Sequence, residues 1–286
     1  MCKELLLVCT LVMLGCSSTV VDPAQNPEIT ESPTAHAEVR PPREPDLSDM
    51  VEVPAGAFTF GTTEEIFQSF AKAGTLNFPG MVDNLRQDFV IPPRIVDLPG
   101  FFIGQFEVTN EQYLEFVLET GYRPENSKNY LKVWTGTNTF PDWAATFPVV
   151  WVSQGDASAY CEWKGGRLPS EEEWEKTARG TDGRAYPWGN TPPDRETANS
   201  ATNQVEPYGN RPGDVSTLEV YDLAANVAEL TSTVIQRHGH EQVIVRGGSF
   251  KTHAREMVTF YRFLNLGPSG RSENIGFRCA ADTPSQ

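Results

Sequence analysis

Basic residues are scarce in this sequence. Its 286 residues hold 23 Lys and Arg against 38 Asp and Glu, a formal net charge of −15. A phosphate backbone would be repelled by such a surface, which excludes nucleic acid as a partner. The same charge disfavours electrostatic docking on anionic lipid. The apolar run at residues 5–14 is too short to span a bilayer, which takes ~20 residues. There is no internal repeat, and strand and helix patterns do not alternate regularly, so a wound parallel sheet is excluded. Histidine is rare too, with four in the chain. His36 lies in a Pro-rich stretch. His238 and His240 flank Gly239 and share one side of an extended segment, but no spacing fixes a third ligand, so a polar turn is the plainer expectation there. What is present is globular: 39% hydrophobic and 21% charged residues, with 23 Gly and 22 Pro that predict many turns.

The N-terminus reads as an address. Lys3 precedes the short apolar run, which ends in Met13-Leu14-Gly15-Cys16. A short basic start, a short apolar stretch and a small residue before the cut describe a secretory signal. Cys directly after Gly resembles the bacterial lipobox, in which that Cys is acylated and becomes the new N-terminus. Residues 1–16 are therefore expected to be a lipoprotein signal peptide, with Cys16 the lipidation site and the membrane a partner through that lipid. Met13 stands where Leu is usual, and Glu4 weakens the positive end; an ordinary signal peptide is the alternative. Ser17 after the Cys points to an outer-membrane or periplasm-facing destination. Residues 17–49 are rich in Pro, Ser, Thr, Glu and Ala and predict a flexible, disordered tether.

Of the five cysteines, Cys2 and Cys9 leave with the signal and Cys16 is taken by lipid. Cys161 and Cys279 remain in a compartment that permits disulfides. They are either paired or separately buried thiols.

Several elements are legible in residues 50–282. Met50 to Gly61 reads as two short strands around Pro54-Ala55-Gly56. A helix opens near Val108, capped by Thr109 or Asn110, with Tyr113, Phe116 and Val117 on its apolar side. A second runs from Asp156 to Trp163 and stops at Gly165-Gly166. Ser170 caps a third, whose first turn holds Glu171, Glu172 and Glu173. Val243 to Arg246 and Ile275 to Cys279 read as strands. Tyr221 to Leu230, taken alone, predicts an amphipathic helix with solvated acids.

Seven segments, in order, carry a resemblance: the Val-Pro-Ala-Gly-Ala-Phe run at Val53; Glu107 to Asn110; Arg167-Leu168-Pro169-Ser170-Glu171-Glu172-Glu173-Trp174-Glu175; Ala178-Arg179-Gly180; Tyr186 to Asn190; Arg246-Gly247-Gly248-Ser249-Phe250; and Gly276-Phe277-Arg278-Cys279. Together they resemble the formylglycine-generating, or sulfatase-modifying, enzyme family over residues 50–282. The resemblance implies an α+β, C-type-lectin-like fold with little regular secondary structure. It also implies that Cys161 pairs with Cys279.

The family's aerobic enzymes oxidise a peptide cysteine to formylglycine and use two thiolates that hold Cu(I), a soft ion suited to sulfur. Those thiolates lie three and eight residues after the Ser of Gly-Gly-Ser. Here the positions are Thr252 and Met257. Thr has no affinity for Cu(I) and a lone thioether cannot form a redox pair, so no copper is expected and no residue is assigned as catalytic. Ser249 and His253 survive, and with Thr252, Arg255 and Met257 they mark the equivalent of the family's groove. The resemblance further implies two Ca²⁺ sites of the oxygen ligands that ion needs. One is Asp222 and Glu229 with the carbonyls of Ala225 and Val227; the other is Asn199 and Glu206 with the carbonyls of Ser200 and Tyr208. The expected function is a non-catalytic binding or scaffold lipoprotein of the cell envelope, whose partner is an envelope protein or a peptide or glycan ligand. The alternative is a formylglycine-generating or related protein-modifying oxidase working by a variant mechanism.

Overall fold

The computed structural model describes residues 43–66, 91–136, 138–253 and 257–283. The expected signal peptide at residues 1–16, Cys16 with it, most of the expected tether and Arg255 lie outside the described residues. Three α-helices of nine or more residues, a one-turn 3-10 helix at Asp142–Ala144 and nine strands are described, the α-helices and strands in the order β1 (Met50–Val53), β2 (Gly56–Phe60), β3 (Arg94–Leu98), β4 (Phe101–Gly104), α1 (Asn110–Thr120), α2 (Gln154–Trp163), α3 (Glu171–Arg179), β5 (Ala228–Arg237), β6 (His240–Arg246), β7 (Arg262–Leu266), β8 (Ile275–Gly276) and β9 (Ala280–Asp282). They form sheets of order β1-β4-β9, β2-β3 and β7-β6-β5-β8. Every strand pair is antiparallel except β5 with β8. The class is α+β, and long irregular connections separate the elements, as the Gly and Pro content predicts.

Each helix begins on a capping box. Thr109, Ser153 and Ser170 accept from the backbone three residues on, while Gln112, Asp156 and Glu173 reach back. Of the two cap candidates for α1, Thr109 is the cap. The second helix starts at Gln154 and not at Asp156, because Asp156 is the reciprocal member of its box: its Oδ2 accepts from Ser153 N at 2.7 Å. The main core lies between α1, α2 and the β5–β6 hairpin, with Tyr113, Tyr160, Leu230 and Phe277 among its buried members. The turn at His238-Gly239 joins β5 to β6 on exposed, positive-φ residues, as a two-residue hairpin requires.

Two further sequence expectations need correction. The strand expected over residues 275–279 splits: β8 pairs with β5, and only from Ala280 does the chain join β4 as β9. Between them Phe277, Arg278 and Cys279 are all buried, because Arg278 turns inward to Glu229 and Cys279 to Cys161. Residues 221–227 form no helix. Asp222 and Asn226 sit at φ 58° and 61°, the left-handed region that interrupts a helix, and the acids there are buried, not solvated.

Residues 43–49, the described end of the expected tether, lie against the domain. Arg43 stacks over Trp163 at 5.0 Å and donates to its carbonyl, and Asp46 pairs with Lys164 at 2.6 Å. Gly165 has no room for a side chain there: a Cβ would meet the carbonyl of Arg43 at 2.6 Å. Among the described residues no helix is long and apolar enough to cross a membrane.

Candidate functional site

The disulfide is formed. Cys161 on α2 joins Cys279 with Cα atoms 5.5 Å apart, leaving neither sulfur free. It spans 118 residues, a loop for which chain entropy allows about 4–5 kcal/mol.

The positions equivalent to the family's thiolates are both occupied by local structure. Thr252 closes a turn on Ser249: its Oγ1 accepts from Ser249 N at 2.7 Å and donates to Ser249 O at 2.8 Å. The Thr252 amide donates to the same carbonyl at 2.9 Å. Met257 is 1% exposed and belongs to an apolar cluster with Tyr186, Ala224 and Phe260. Ser249 is buried and its Oγ accepts from Asn274 Nδ2 at 3.1 Å. His253 is exposed. The structure thus brings Ser249 and Thr252 together and turns Met257 into the core, so no pair of soft donors faces a common point.

The acidic turn is richer than its sequence suggests. Glu229 receives Arg278 on both oxygens at 2.7 Å, and Trp174 Nε1 donates to Oε2 at 2.7 Å. Asp222 Oδ2 accepts from Gly209 N at 2.6 Å. Asp214, which sequence reasoning missed, accepts from Ala224 N, and Glu107, also missed, accepts from Asn226 Nδ2 at 3.3 Å and Val227 N at 3.4 Å. All four carboxylates are buried. Burial, then the neighbouring Asp222 charge, pushes the Glu107 and Asp214 carboxyls well above the usual carboxylate range. Burial raises Asp222 to about 6, against the pull of Gly209 N and Arg278. Glu107 and Arg278 were in view as motif residues; nothing in their spacing showed that they meet.

The two expected calcium sets are linked by Asn226, a third missed residue. Its Oδ1 accepts from Asn199 Nδ2 and Glu206 N, each at 3.0 Å. Asn199 Oδ1 in turn accepts from Thr202 at 2.6 Å, and Glu206 is paired with Arg211 and Asn210. Tyr208 stands on the ring of Phe106. Ala225 and Val227 are buried in the turn and Ser200 is half-buried. Apart from Asp222, then, the carboxylates of these sets are engaged by arginines. Among the described residues no three His, Cys, Asp or Glu side chains converge as a metal group.

A second buried ionic network lies behind α3. Arg246 joins Glu171 at 2.9 Å and Glu175 at 2.7 Å; Arg179 also holds Glu175, at 3.0 Å, and Arg262 also holds Glu171, at 2.9 Å. Burial raises the Glu171 carboxyl and the guanidiniums of Arg246 and Arg262 pull it back. Of the tryptophans, Trp174 and Trp134 are core, whereas Trp143 is 69% exposed.

With this geometry established, comparison with known proteins is informative. The profile of the sulfatase-modifying factor enzyme 1-like domain matches residues 35–283. The chain is 30% identical to the formylglycine-generating enzyme of Mus musculus over 84% of this chain and 77% of that protein. It is also 30% identical to the inactive C-alpha-formylglycine-generating enzyme 2 of Bos taurus, over 82% of this chain and 88% of that one. The solved structure of PvdO from Pseudomonas aeruginosa shares the fold, with a TM-score of 0.61 at 24% identity over 82% of this chain and 94% of that chain.

Proposed function

The chain belongs to the sulfatase-modifying factor enzyme 1-like family, and from that premise we propose that it is a non-catalytic binding or scaffold protein of the cell envelope, anchored to a membrane by a lipid on Cys16. Similarity to an active and to an inactive relative is equal, so it does not choose between the readings. One observation carries the choice: Thr252 is locked into the Ser249 turn and Met257 is packed in an apolar cluster. Copper-dependent oxidation requires two thiolates that can hold a soft ion and exchange with the substrate thiol. Neither position supplies one, and Cys161 and Cys279 are consumed by their own bond.

The test is direct. Co-expressed with a Cys-x-Pro-x-Arg peptide, the protein should leave the peptide mass unchanged, and conversion of the thiol to an aldehyde would establish the competing reading of a modifying enzyme with a variant mechanism. The anchor is tested separately: Cys16→Ser should move the protein from the membrane to the soluble fraction, and full retention would refute lipidation. The partner in this reading is an envelope protein or a peptide or glycan ligand. Calcium is proposed at the acidic turn on the strength of the family. The raised carboxyls of Glu107, Asp214 and Asp222 favour a cation there, while the commitment of Glu229 to Arg278 opposes one.

A further inference from the structure

Arg271 lies shortly before β8. Its side chain is 2% exposed, and that of Asp156, the acid facing it, 1%. Its Nε and Nη2 both reach Asp156 Oδ2 at 2.8 Å. Asp156 also accepts from Ser153 N at 2.7 Å within its capping box and, on Oδ1, from the Tyr122 hydroxyl at 2.9 Å. The third Arg271 nitrogen, Nη1, donates to the carbonyls of Asn126 and Lys128 at 2.7 and 3.0 Å, and the guanidinium lies 5.4 Å from the centre of the Tyr130 ring. Apolar side chains of the same volume often stabilise a core as well as a buried ion pair does; what the fork of an arginine adds is geometry. Here the fork ties the start of α2 to residues 122–130, a connection that forms neither helix nor strand.

The end of this connection carries backbone strain. Leu131 has φ 48° and Trp151 φ 61°, left-handed values that bulky residues seldom take and that persist only where the surroundings impose them. The two are joined. Leu131 N donates to Trp151 O at 3.1 Å, and Trp151 N donates to the carbonyl of Ser272, the residue after Arg271, at 3.0 Å. From Ser272 the contacts run on to the Gly-Gly-Ser turn. Its Oγ donates to Asn274 Oδ1 at 2.6 Å, and Asn274 Nδ2 donates to Ser249 Oγ at 3.1 Å. Trp151 also packs against Phe250, the residue after Ser249. The connection and the turn are therefore both attached to one short segment, residues 271–274.

We propose that Arg271 is the positioning residue of the groove. It sets residues 122–131 against Trp151 and, through Ser272 and Asn274, holds them in register with the turn at residues 249–252, so that these parts open and close as one unit. Its guanidinium is engaged by protein groups on all three nitrogens, so it acts through the walls of the groove and does not itself touch a ligand. Its importance for binding rests on the groove being the binding surface; the unit does not.

Residue-resolved hydrogen exchange of the full chain tests this without a ligand. In the unaltered protein the hydrogen-bonded amides of Leu131, Trp151 and Thr252 should share one opening free energy and one urea dependence, as a cooperative unit does. Arg271→Lys keeps a charge beside Asp156 and loses the fork. All three amides should then exchange about tenfold faster, while those of Gly180 and Gly189, bonded in turns outside the unit, keep their rates. Tyr122→Phe removes one bond to Asp156 and leaves the ion pair, so it should speed the same three amides by a smaller factor; it gives the same reading if Arg271→Lys does not fold. Unequal opening of the three amides in the unaltered protein, a rise confined to Leu131, an equal rise at Gly180 and Gly189, or unchanged rates would overturn the proposal. Any of these leaves the binding reading standing, whereas an aldehyde on the co-expressed peptide would remove that reading and leave the unit intact.

Discussion

Two buried ionic clusters draw residues from the family's sequence motifs, and their charge balance differs. Behind α3, Glu171 and Glu175 meet Arg179, Arg246 and Arg262, so each acid keeps at least two bases. At the acidic turn, Glu107, Asp214, Asp222 and Glu229 share, among the described residues, the single guanidinium of Arg278. A buried charge without a partner is far more unfavourable than a paired one. The first cluster is therefore a closed structural network, while the second holds protons in its carboxyls or requires a cation from outside.

The contrast is sharpest at the arginines. Arg278→Met should give the largest effect, about 3–5 kcal/mol of stability at pH 7.5 by urea unfolding, because four acids lose their one base. The loss should shrink at pH 5, below the raised titration of Asp222; a loss that does not change with pH would break the account. Arg246→Met should cost less, roughly 1.5–3 kcal/mol, since Arg179 still holds Glu175 and Arg262 still holds Glu171. Equal losses in the two variants would mean that charge balance does not distinguish the clusters.

At Asp222 the expected effect is a pH-dependent slope, not a fixed loss. Its carboxyl titrates near 6 in the fold against 3.8 ordinarily. Between those values the folded state keeps a proton that the unfolded chain has released, so stability falls as pH rises through the window and levels off above it. Asp222→Asn should remove that slope, which is at most ~1.4 kcal/mol per pH unit. Added Ca²⁺ should raise the melting temperature of the unaltered protein above pH 6 and leave Asp222→Asn unmoved. If the unaltered protein shows no shift, calcium is not an element of this turn.

Much of the fold was readable because it depends on local chemistry. Ser170 and the acids after it announce α3 through capping and the helix dipole. His238-Gly239 announces the hairpin through the backbone freedom its turn needs. The reading was weakest at residues 221–227, where a helical spacing of apolar residues suggested solvated acids. There Asp222 and Asn226 adopt left-handed backbone, and Asp214, Asn199 and Glu107 come from distant segments to satisfy them. No local rule reports such partners.

By itself the sequence determined the family, the α+β class, the start of α3 at Ser170 and the substitution of both thiolate positions by Thr252 and Met257, since each follows from residue identity and short-range order. Only the tertiary structure decided that Thr252 closes a turn, that Met257 packs in an apolar cluster, and that Arg278 serves four buried acids. Those outcomes depend on which distant groups are driven together when water is excluded, and the strength of a charge or a thioether's exposure has no value until that is fixed.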